Sequence, residues 1–413
     1  MLLRDPDLRG IDPADATDEY ERRGLHRLAD DELFDRAADV ISVPKESPAD
    51  SFVLHAPLEL LARRALLGLA RGPEREAVRH RITWLAATYE AAGPSVAPGS
   101  PSDGSLVEAI TAGDLDAVDA AASRLAGTGT LADVLGLADA LVPSLAAAAH
   151  APIFLELLPK VAPRSRAALG LLRPLAREVA RNSSWRIEWI DDAALTPGAG
   201  TEDDVVDALL DTPVLGRPGS EFIFPLMHQV DSTGTAREVA TAALGRATDP
   251  GAAARALARV AVLSMLQDDP AAAPYGWSHC LTMPQAVAAV VPLSADPWRT
   301  LAVAATHVIG FRAALAAGPV SRTWAPDPVA VDPVAALDAD AATAAAAAWH
   351  AEPERRADLV AAVAARAAAQ EDAHLAKYVL ACADAAAADP AHRHLHLAAA
   401  AYLTAWWGAP APA

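Results

Sequence analysis

Cysteine is scarce in this sequence: only Cys280 and Cys382 occur among 413 residues. Two cysteines cannot form the disulfide framework of a small secreted protein, so the sequence predicts a reducing, cytoplasmic environment. The first residues, MLLRDPDLRGIDPAD, are charged and contain no apolar core of the kind found in signal peptides. Because no strongly apolar run reaches about 18 residues, we expect no membrane-spanning segment.

Positive charge is also in short supply. The chain has 34 lysine and arginine residues against 53 aspartate and glutamate residues, a formal net charge of −19. This balance opposes sequence-independent binding to nucleic-acid phosphates, so we expect no nucleic-acid partner. The sequence also has no phosphate-binding glycine-rich loop, no Gly-x-Ser-x-Gly and no His-Glu-x-x-His motif. These absences argue against the nucleotide-binding, serine-hydrolase and zinc-protease classes that such motifs mark.

Apolar residues in helical periodicity are abundant. Hydrophobic residues make up 53% of the chain and the mean hydropathy is +0.17, which is ample for a buried core. Periodicity predicts an all-α fold with few or no strands, the best strand-like stretch being EFIF at 221–224. We expect residues 1–48 to form an N-terminal arm or extension. Residues 49–413 should then form one large helical domain, with a loop break near 93–105.

Histidine is the unusual chemical resource. His55, His150, His228 and His374 each lie in a largely apolar segment, and Lys377 follows His374 by three residues. Imidazoles that converge inside a helical bundle can bind iron, copper, zinc or nickel. Carboxylates close in sequence could orient the rings; they are Glu59, Asp231 and Asp372. The alternative is that each histidine is an ordinary core residue with its hydrogen bonds satisfied.

Four segments carry a resemblance to a known family. They are LHAPLEL (54–60), AAHAPIFLELL (148–158), PLMHQVDS (225–232) and DAHLAKYVLACADA (372–385). In order and rough separation they resemble the four histidine blocks of the questin oxidase-like family, and the last block, Asp-x-His-x-x-Lys, is the most specific. The sequence departs from that pattern at Leu54 and Phe154, positions that bear on the substrate more than on the metal.

The resemblance implies a non-haem iron oxygenase that opens a ring of an anthraquinone-like substrate with dioxygen. It implies Fe(II) held by His55, His150, His228, His374 and a carbamylated Lys377. A dry environment favours the neutral amine, because desolvation disfavours a charged lysine. Addition of carbon dioxide to that amine would give an anionic oxygen ligand.

Two further histidines are candidates for catalysis. His279, in PYGWSHCLTMPQAV (274–287), and His307, in THVIGFRAAL (306–315), could exchange a proton with the substrate, or either could replace one of the four ligands. Tryptophans could line the cavity of a flat hydrophobic aromatic substrate; they are Trp185, Trp189, Trp406 and Trp407.

Two other functions remain open from the sequence. One is a non-enzymatic helical scaffold with structural histidines. The other is a Baeyer–Villiger-like oxidase with NADPH as electron donor, although the sequence has no Gly-x-Gly-x-x-Gly loop for binding a dinucleotide.

Overall fold

The structure is a computed structural model that describes residues 7–97, 104–219 and 223–408. Its regular elements within those ranges are helices, and the one strand-type pairing there is an isolated bridge between Lys45 and Ser95. The expected all-α class is therefore confirmed. None of the helices in the described ranges has the length and apolar character that a membrane crossing requires.

The chain forms two compact units, residues 1–185 and residues 186–413. The α-helices of the first unit are α1 (Ala16–Arg22), α2 (Asp30–Ile41), α3 (Ser51–Leu67), α4 (Gly72–Ala91), α5 (Leu106–Ala112), α6 (Leu115–Thr128), α7 (Leu131–Leu135), α8 (Ala138–Leu141), α9 (Ala151–Val161) and α10 (Leu172–Arg181). In this unit α2 packs on α4, α3 packs on both α4 and α9, and α6 packs on α10.

The α-helices of the second unit are α11 (Glu202–Leu210), α12 (Ile223–Ser232), α13 (Thr235–Leu244), α14 (Pro250–Gln267), α15 (Ser278–Val290), α16 (Pro297–Leu315), α17 (Ala341–Trp349), α18 (Pro353–Ala369), α19 (Ala373–Ala388) and α20 (Arg393–Gly408). Here α15 packs against α14, α16 and α19, while α17 packs along α20. The alanines of α17 at 344–348 are buried, and such small side chains let two helices approach closely.

Helix starts follow local capping chemistry. The Asp50 carboxylate accepts from the amide of Val53 at the start of α3, and Asp249 caps α14 in the same way before Pro250. Thr201 and Asp204 form a capping box on α11. These side chains satisfy amides that a helix leaves unpaired at its first turn. Each of these three helices therefore begins at the residue after its cap.

The expectation of an N-terminal arm at 1–48 is wrong for the part that the structure describes. Leu33 and Phe34 of α2 are fully buried, and the hydroxyl of buried Tyr20 donates to Glu76 of α4. The buried guanidinium of Arg79 donates to the Tyr20 oxygen and to Asp30. Acidic residues lie on the outer face of these helices. The segment therefore has the composition of a solvated arm although its apolar residues belong to the core.

Two local expectations fall partly outside the described residues. In the predicted break at 93–105, residues 93–97 and 104–105 are described and contain no helix, and residues 98–103 lie outside the described ranges. In the strand-like stretch 221–224, Ile223 and Phe224 begin α12, so their strand prediction is wrong; 221–222 are not described.

A buried ionic cluster joins three helices of the second unit. Asp389 accepts from Arg259 Nε of α14 at 2.6 Å, and the same guanidinium donates to Glu202 of α11 at 2.5 Å. His392 Nδ1 lies 3.1 Å from Asp389, and the fully buried His396 of α20 lies 3.9 Å away. Burial alone would raise the pKa of Asp389, but the nearby His396 imidazole and hydrogen bonds from Arg259 and His392 hold it far below its usual range.

The buried position of α2 gives a first prediction. Leu33→Ala removes a side chain that is 0% exposed, and the free energy of unfolding should fall by about 2–5 kcal/mol. Leu69→Ala, at a leucine that is 46% exposed, is the matched control and should cost about 0.5 kcal/mol or less. Urea unfolding of the two variants measures both. Equal costs would restore the arm interpretation.

The ionic cluster gives a second prediction. Asp389→Asn should lower the free energy of unfolding at pH 7 by about 3 kcal/mol, because it breaks a buried pair. A depressed carboxyl pKa contributes stability above the unfolded value of about 3.9, and this is lost as the pH falls toward the folded pKa. The gap between wild type and variant should therefore narrow below about pH 4. Urea unfolding across pH 3–7 measures it, with exposed Asp192→Asn as control; a constant gap would contradict the assignment.

Candidate functional site

Four of the candidate histidines share one local arrangement: their Nδ1 atom lies at hydrogen-bond distance from an oxygen. The acceptors are Ser51 O at 2.5 Å from His55, Ala147 O at 2.9 Å from His150, Tyr275 O at 2.5 Å from His279 and Asp372 Oδ1 at 2.7 Å from His374. An oxygen acceptor places the ring proton on Nδ1, so Nε2 carries the lone pair. Metal-binding histidines use this tautomer, with the outer oxygen fixing the ring.

The first unit holds one pair of these rings. His55 lies in the first turns of α3 and His150 immediately precedes α9, and α3 packs against α9. The ring centroids are 4.7 Å apart at an interplanar angle of 81°. Two of the histidines predicted to act together, nearly 100 residues apart in sequence, are therefore neighbours in space.

An unusual backbone turn positions His150. Ala147, Ala148 and Ala149 have φ angles of +49°, +50° and +56°, the left-handed region that residues with a Cβ rarely occupy. The turn brings the carbonyl of Ala147 under the His150 ring. Each left-handed alanine costs roughly 1–2 kcal/mol, so packing of the surrounding helices must offset this strain.

The second unit holds the other pair. His279 lies in the first turn of α15 and His374 in the first turn of α19. Their ring centroids are 4.8 Å apart with an interplanar angle of 69°, and a ring nitrogen of each lies within 4.8 Å of the other. Phe311 of α16 stacks beside His279 at 6.2 Å. His279 therefore lies beside His374. This is the possibility that the sequence leaves open, in which His279 replaces one of the four ligands.

A π-helical turn precedes α15 and places Tyr275 next to both rings. The turn covers Ala273–Trp277. The Tyr275 carbonyl oxygen accepts from His279 Nδ1, and the Tyr275 hydroxyl donates to Asp372 Oδ2 at 2.9 Å. The Tyr275 ring lies edge-on to His374 with a centroid distance of 5.1 Å. Single π turns of this kind occur often at functional sites.

Asp372 has two roles at the start of α19. Its Oδ1 accepts from the backbone amide of His374 at 2.8 Å, as a helix cap, and from His374 Nδ1. Burial raises the pKa of its carboxyl, but the His374 contacts outweigh this and the pKa lies well below its usual range. Asp372 is therefore ionised at neutral pH. It is the one of the three candidate carboxylates that orients a ring.

The other two candidate carboxylates have different partners. Glu59 is paired with Arg63 and Arg81. Asp231 accepts from the backbone amides of Glu188 and Trp189. Glu59 follows His55 by one helical turn, but its carboxylate pairs with Arg63 of α3 and Arg81 of α4.

Lys377 lies one turn after His374 and is only 3% exposed. Burial lowers the pKa of His279 well below its usual value, and the neighbouring His374 and Lys377 lower it further. His279 is consequently neutral at physiological pH, which is the form that a metal requires. Lys377 is therefore buried on the same helix as His374.

The interior position expected for His228 is wrong. Its ring is exposed on α12 and stacks on Phe224 with a centroid distance of 5.4 Å. His307 is fully buried in α16, and neither of its ring nitrogens has a hydrogen-bond partner among the described residues. Burial lowers the pKa of His307 to about 4, so it too is neutral.

The four tryptophans do not share one environment. Trp189 is buried and donates from Nε1 to Thr306 at 3.0 Å, whereas Trp185 is exposed. Trp406 and Trp407 are half-buried neighbours in α20, and Trp407 lies 6.3 Å from Tyr275. Of the four, Trp407 is the tryptophan with an observed contact to a residue around the His279–His374 pair.

Comparison of the chain with protein-family models, with curated proteins and with solved structures gives no match.

The left-handed alanine turn gives a third prediction. Glycine adopts positive φ without a steric cost, so Ala148→Gly should raise the free energy of unfolding by up to about 1 kcal/mol. Ala120→Gly, at a half-buried alanine within α6, is the matched control and should lower it by about 0.5–1 kcal/mol. Thermal and urea unfolding measure both. A loss of stability in both variants would contradict the left-handed conformation at 148.

Proposed function

We propose that the protein is an iron-dependent oxygenase that oxidises a polycyclic aromatic substrate of the hydroquinone or anthraquinone type with dioxygen. The observation that carries the proposal is the His279–His374 pair, two adjacent imidazoles with both Nδ1 atoms anchored on oxygen. The resemblance to the questin oxidase-like family in the Asp-x-His-x-x-Lys segment supports iron and the substrate class. The buried free thiols Cys280 and Cys382 suit a reducing cytoplasm.

The donor set fits a transition metal. A metal–nitrogen bond of about 2.1 Å puts each ring centre about 3.3 Å from a shared ion. Two imidazoles bound at an N–metal–N angle of about 90° then have ring centroids about 4.6 Å apart. The observed centroid distance is 4.8 Å. Neutral imidazoles suit iron, copper, zinc and nickel alike, so the geometry supports a metal and the resemblance selects Fe(II).

Lys377 is the proposed third ligand. Its side chain leaves α19 on the same side as His374, because residues three apart are neighbours on a helix. A neutral amine that adds carbon dioxide loses one proton and becomes a carbamate, whose oxygen binds a cation. The carbamate would offset part of the charge of Fe(II), and Asp372 would offset more of it through His374.

Bound Fe(II) would supply the electron transfer that activation of dioxygen requires. The chain's own residues would exclude water and handle protons. His307 lies one turn before Phe311, so both side chains leave α16 on the face that carries Phe311 to His279. We assign proton exchange with the substrate to His307, because it is fully buried on this face and neither ring nitrogen has a hydrogen-bond partner among the described residues.

Metal content tests the proposal and is the fourth prediction. Protein purified without added metal should contain near-stoichiometric iron by elemental analysis. His374→Ala and Lys377→Met should lose most of it, because each removes a proposed ligand. His228→Ala is the control and should keep its iron, since the His228 ring is exposed. Loaded wild type should then consume dioxygen with a hydroquinone.

The outcomes separate the proposal from its rivals. Iron lost from the His228 variant as well would favour the ligand set implied by the family resemblance over the one proposed here. Folded wild type that binds no iron would contradict the oxygenase and favour a helical scaffold in which the histidines are structural.

A further inference from the structure

Tyr275 contacts the anchors of both imidazoles in the second unit. Its carbonyl oxygen accepts from His279 Nδ1 at 2.5 Å. Its hydroxyl donates to Asp372 Oδ2 at 2.9 Å, and Oδ1 of the same carboxylate accepts from His374 Nδ1 at 2.7 Å. One residue is thus connected by hydrogen bonds to two rings that lie 95 positions apart in sequence.

We propose that Tyr275 is a positioning residue that fixes the orientation and tautomer of both His279 and His374. The proposal rests on the proposed function for the metal that the two rings would hold, and on the observed hydrogen bonds for the orientation itself. It assigns a role to a residue that lies outside the Asp-x-His-x-x-Lys segment and outside every other histidine block.

The Asp372 carboxylate connects the Tyr275 hydroxyl to the His374 ring, to which the hydroxyl has no direct hydrogen bond. Asp372 has two oxygens in one plane, and its Oδ1 already accepts from the His374 amide and ring. Donation from Tyr275 to Oδ2 fixes the rotation of this plane about its side-chain bond. Without the hydroxyl, the carboxylate could rotate or turn to water, and the direction of His374 Nε2 would vary with it.

The carbonyl contact lies at the π turn. In a regular α-helix the carbonyl of Tyr275 would accept an amide four residues on, but the π turn at Ala273–Trp277 breaks that register. The neighbouring carbonyl of Pro274 accepts from the Ser278 hydroxyl at 2.5 Å. Two consecutive side chains, Ser278 and His279, therefore donate to the carbonyls of Pro274 and Tyr275.

The surroundings of Tyr275 suit this role. Its side chain is 56% exposed, yet the ring packs edge-on to His374 and lies 6.3 Å from Trp407. Partial burial, with the charge of Asp372 beside it, raises the pKa of Tyr275 to about 12, so the hydroxyl keeps its proton and stays a donor.

Tyr275→Phe tests the proposal and is the fifth prediction. The variant keeps the ring and the main chain and removes only the hydroxyl. Loss of an outer partner of a metal-binding histidine costs about 10–100-fold in metal affinity, so Co²⁺ affinity by absorption titration should fall by that factor. Tyr402→Phe in α20 is the matched control and should leave Co²⁺ affinity unchanged. Both variants should unfold close to the wild-type temperature.

A second measurement uses the full-length protein without metal. Proton NMR of the ring Nδ1–H groups should show faster exchange for His374 in Tyr275→Phe, because the carboxylate plane is released. The His279 Nδ1–H should stay protected, because the Tyr275 carbonyl is still present. A merely structural tyrosine would change either both rings together or neither.

The two readouts distinguish failure of this inference from failure of the proposed function. Wild type that binds no Co²⁺, together with faster His374 exchange in the variant, would support the positioning role and contradict the metal. Unchanged Co²⁺ affinity and unchanged exchange would overturn the positioning role and leave the metal centre standing.

Discussion

The candidate site depends on the tendency of an imidazole that is shielded from water to place its ring proton on an acceptor. A neutral ring with an unpaired N–H loses about 1–3 kcal/mol on burial. In His55, His150, His279 and His374 the acceptor lies two to four residues earlier in the chain. The tautomer of each ring is therefore set by a neighbour in sequence, which is a backbone carbonyl for three of the rings and the Asp372 carboxylate for His374.

Four different local structures meet this one requirement. His55 uses a carbonyl one helical turn earlier, His150 a left-handed alanine turn, His279 a π turn and His374 a capping aspartate. Two of the four are irregular and carry a conformational cost. Such costs persist only where surrounding helices hold the segment in place, and they concentrate at functional sites. The left-handed turn directly precedes His150 and the π turn directly precedes the helix that carries His279. Helical periodicity alone would not give the positions of these two histidines.

The sequence predicts the helices well because periodicity and caps are local signals. Apolar periodicity predicts helices at 250–266 and 371–387, and the structure has them at Pro250–Gln267 and Ala373–Ala388. His374, Lys377 and Asp372 could be grouped for the same reason. His228 could have been placed correctly: Ile223, Leu226, Met227 and Val230 form the buried stripe of α12, and position 228 falls outside it. The pairing of His279 with His374 needs the packing of α15 on α19, which no local pattern contains.

Local anchoring also decides what a bound metal would contribute. A structural zinc site forms only when its ligands are brought together, so binding of the metal drives folding. Here each ring has its proton placed by neighbours in sequence, and α15 and α19 pack through many apolar side chains besides the histidines. The helices therefore assemble the two imidazoles, in the tautomer that a metal would require, without the help of an ion. The affinity for the proposed metal would then depend on how firmly Asp372 and the Tyr275 carbonyl hold the rings, because the fold already accounts for their distance.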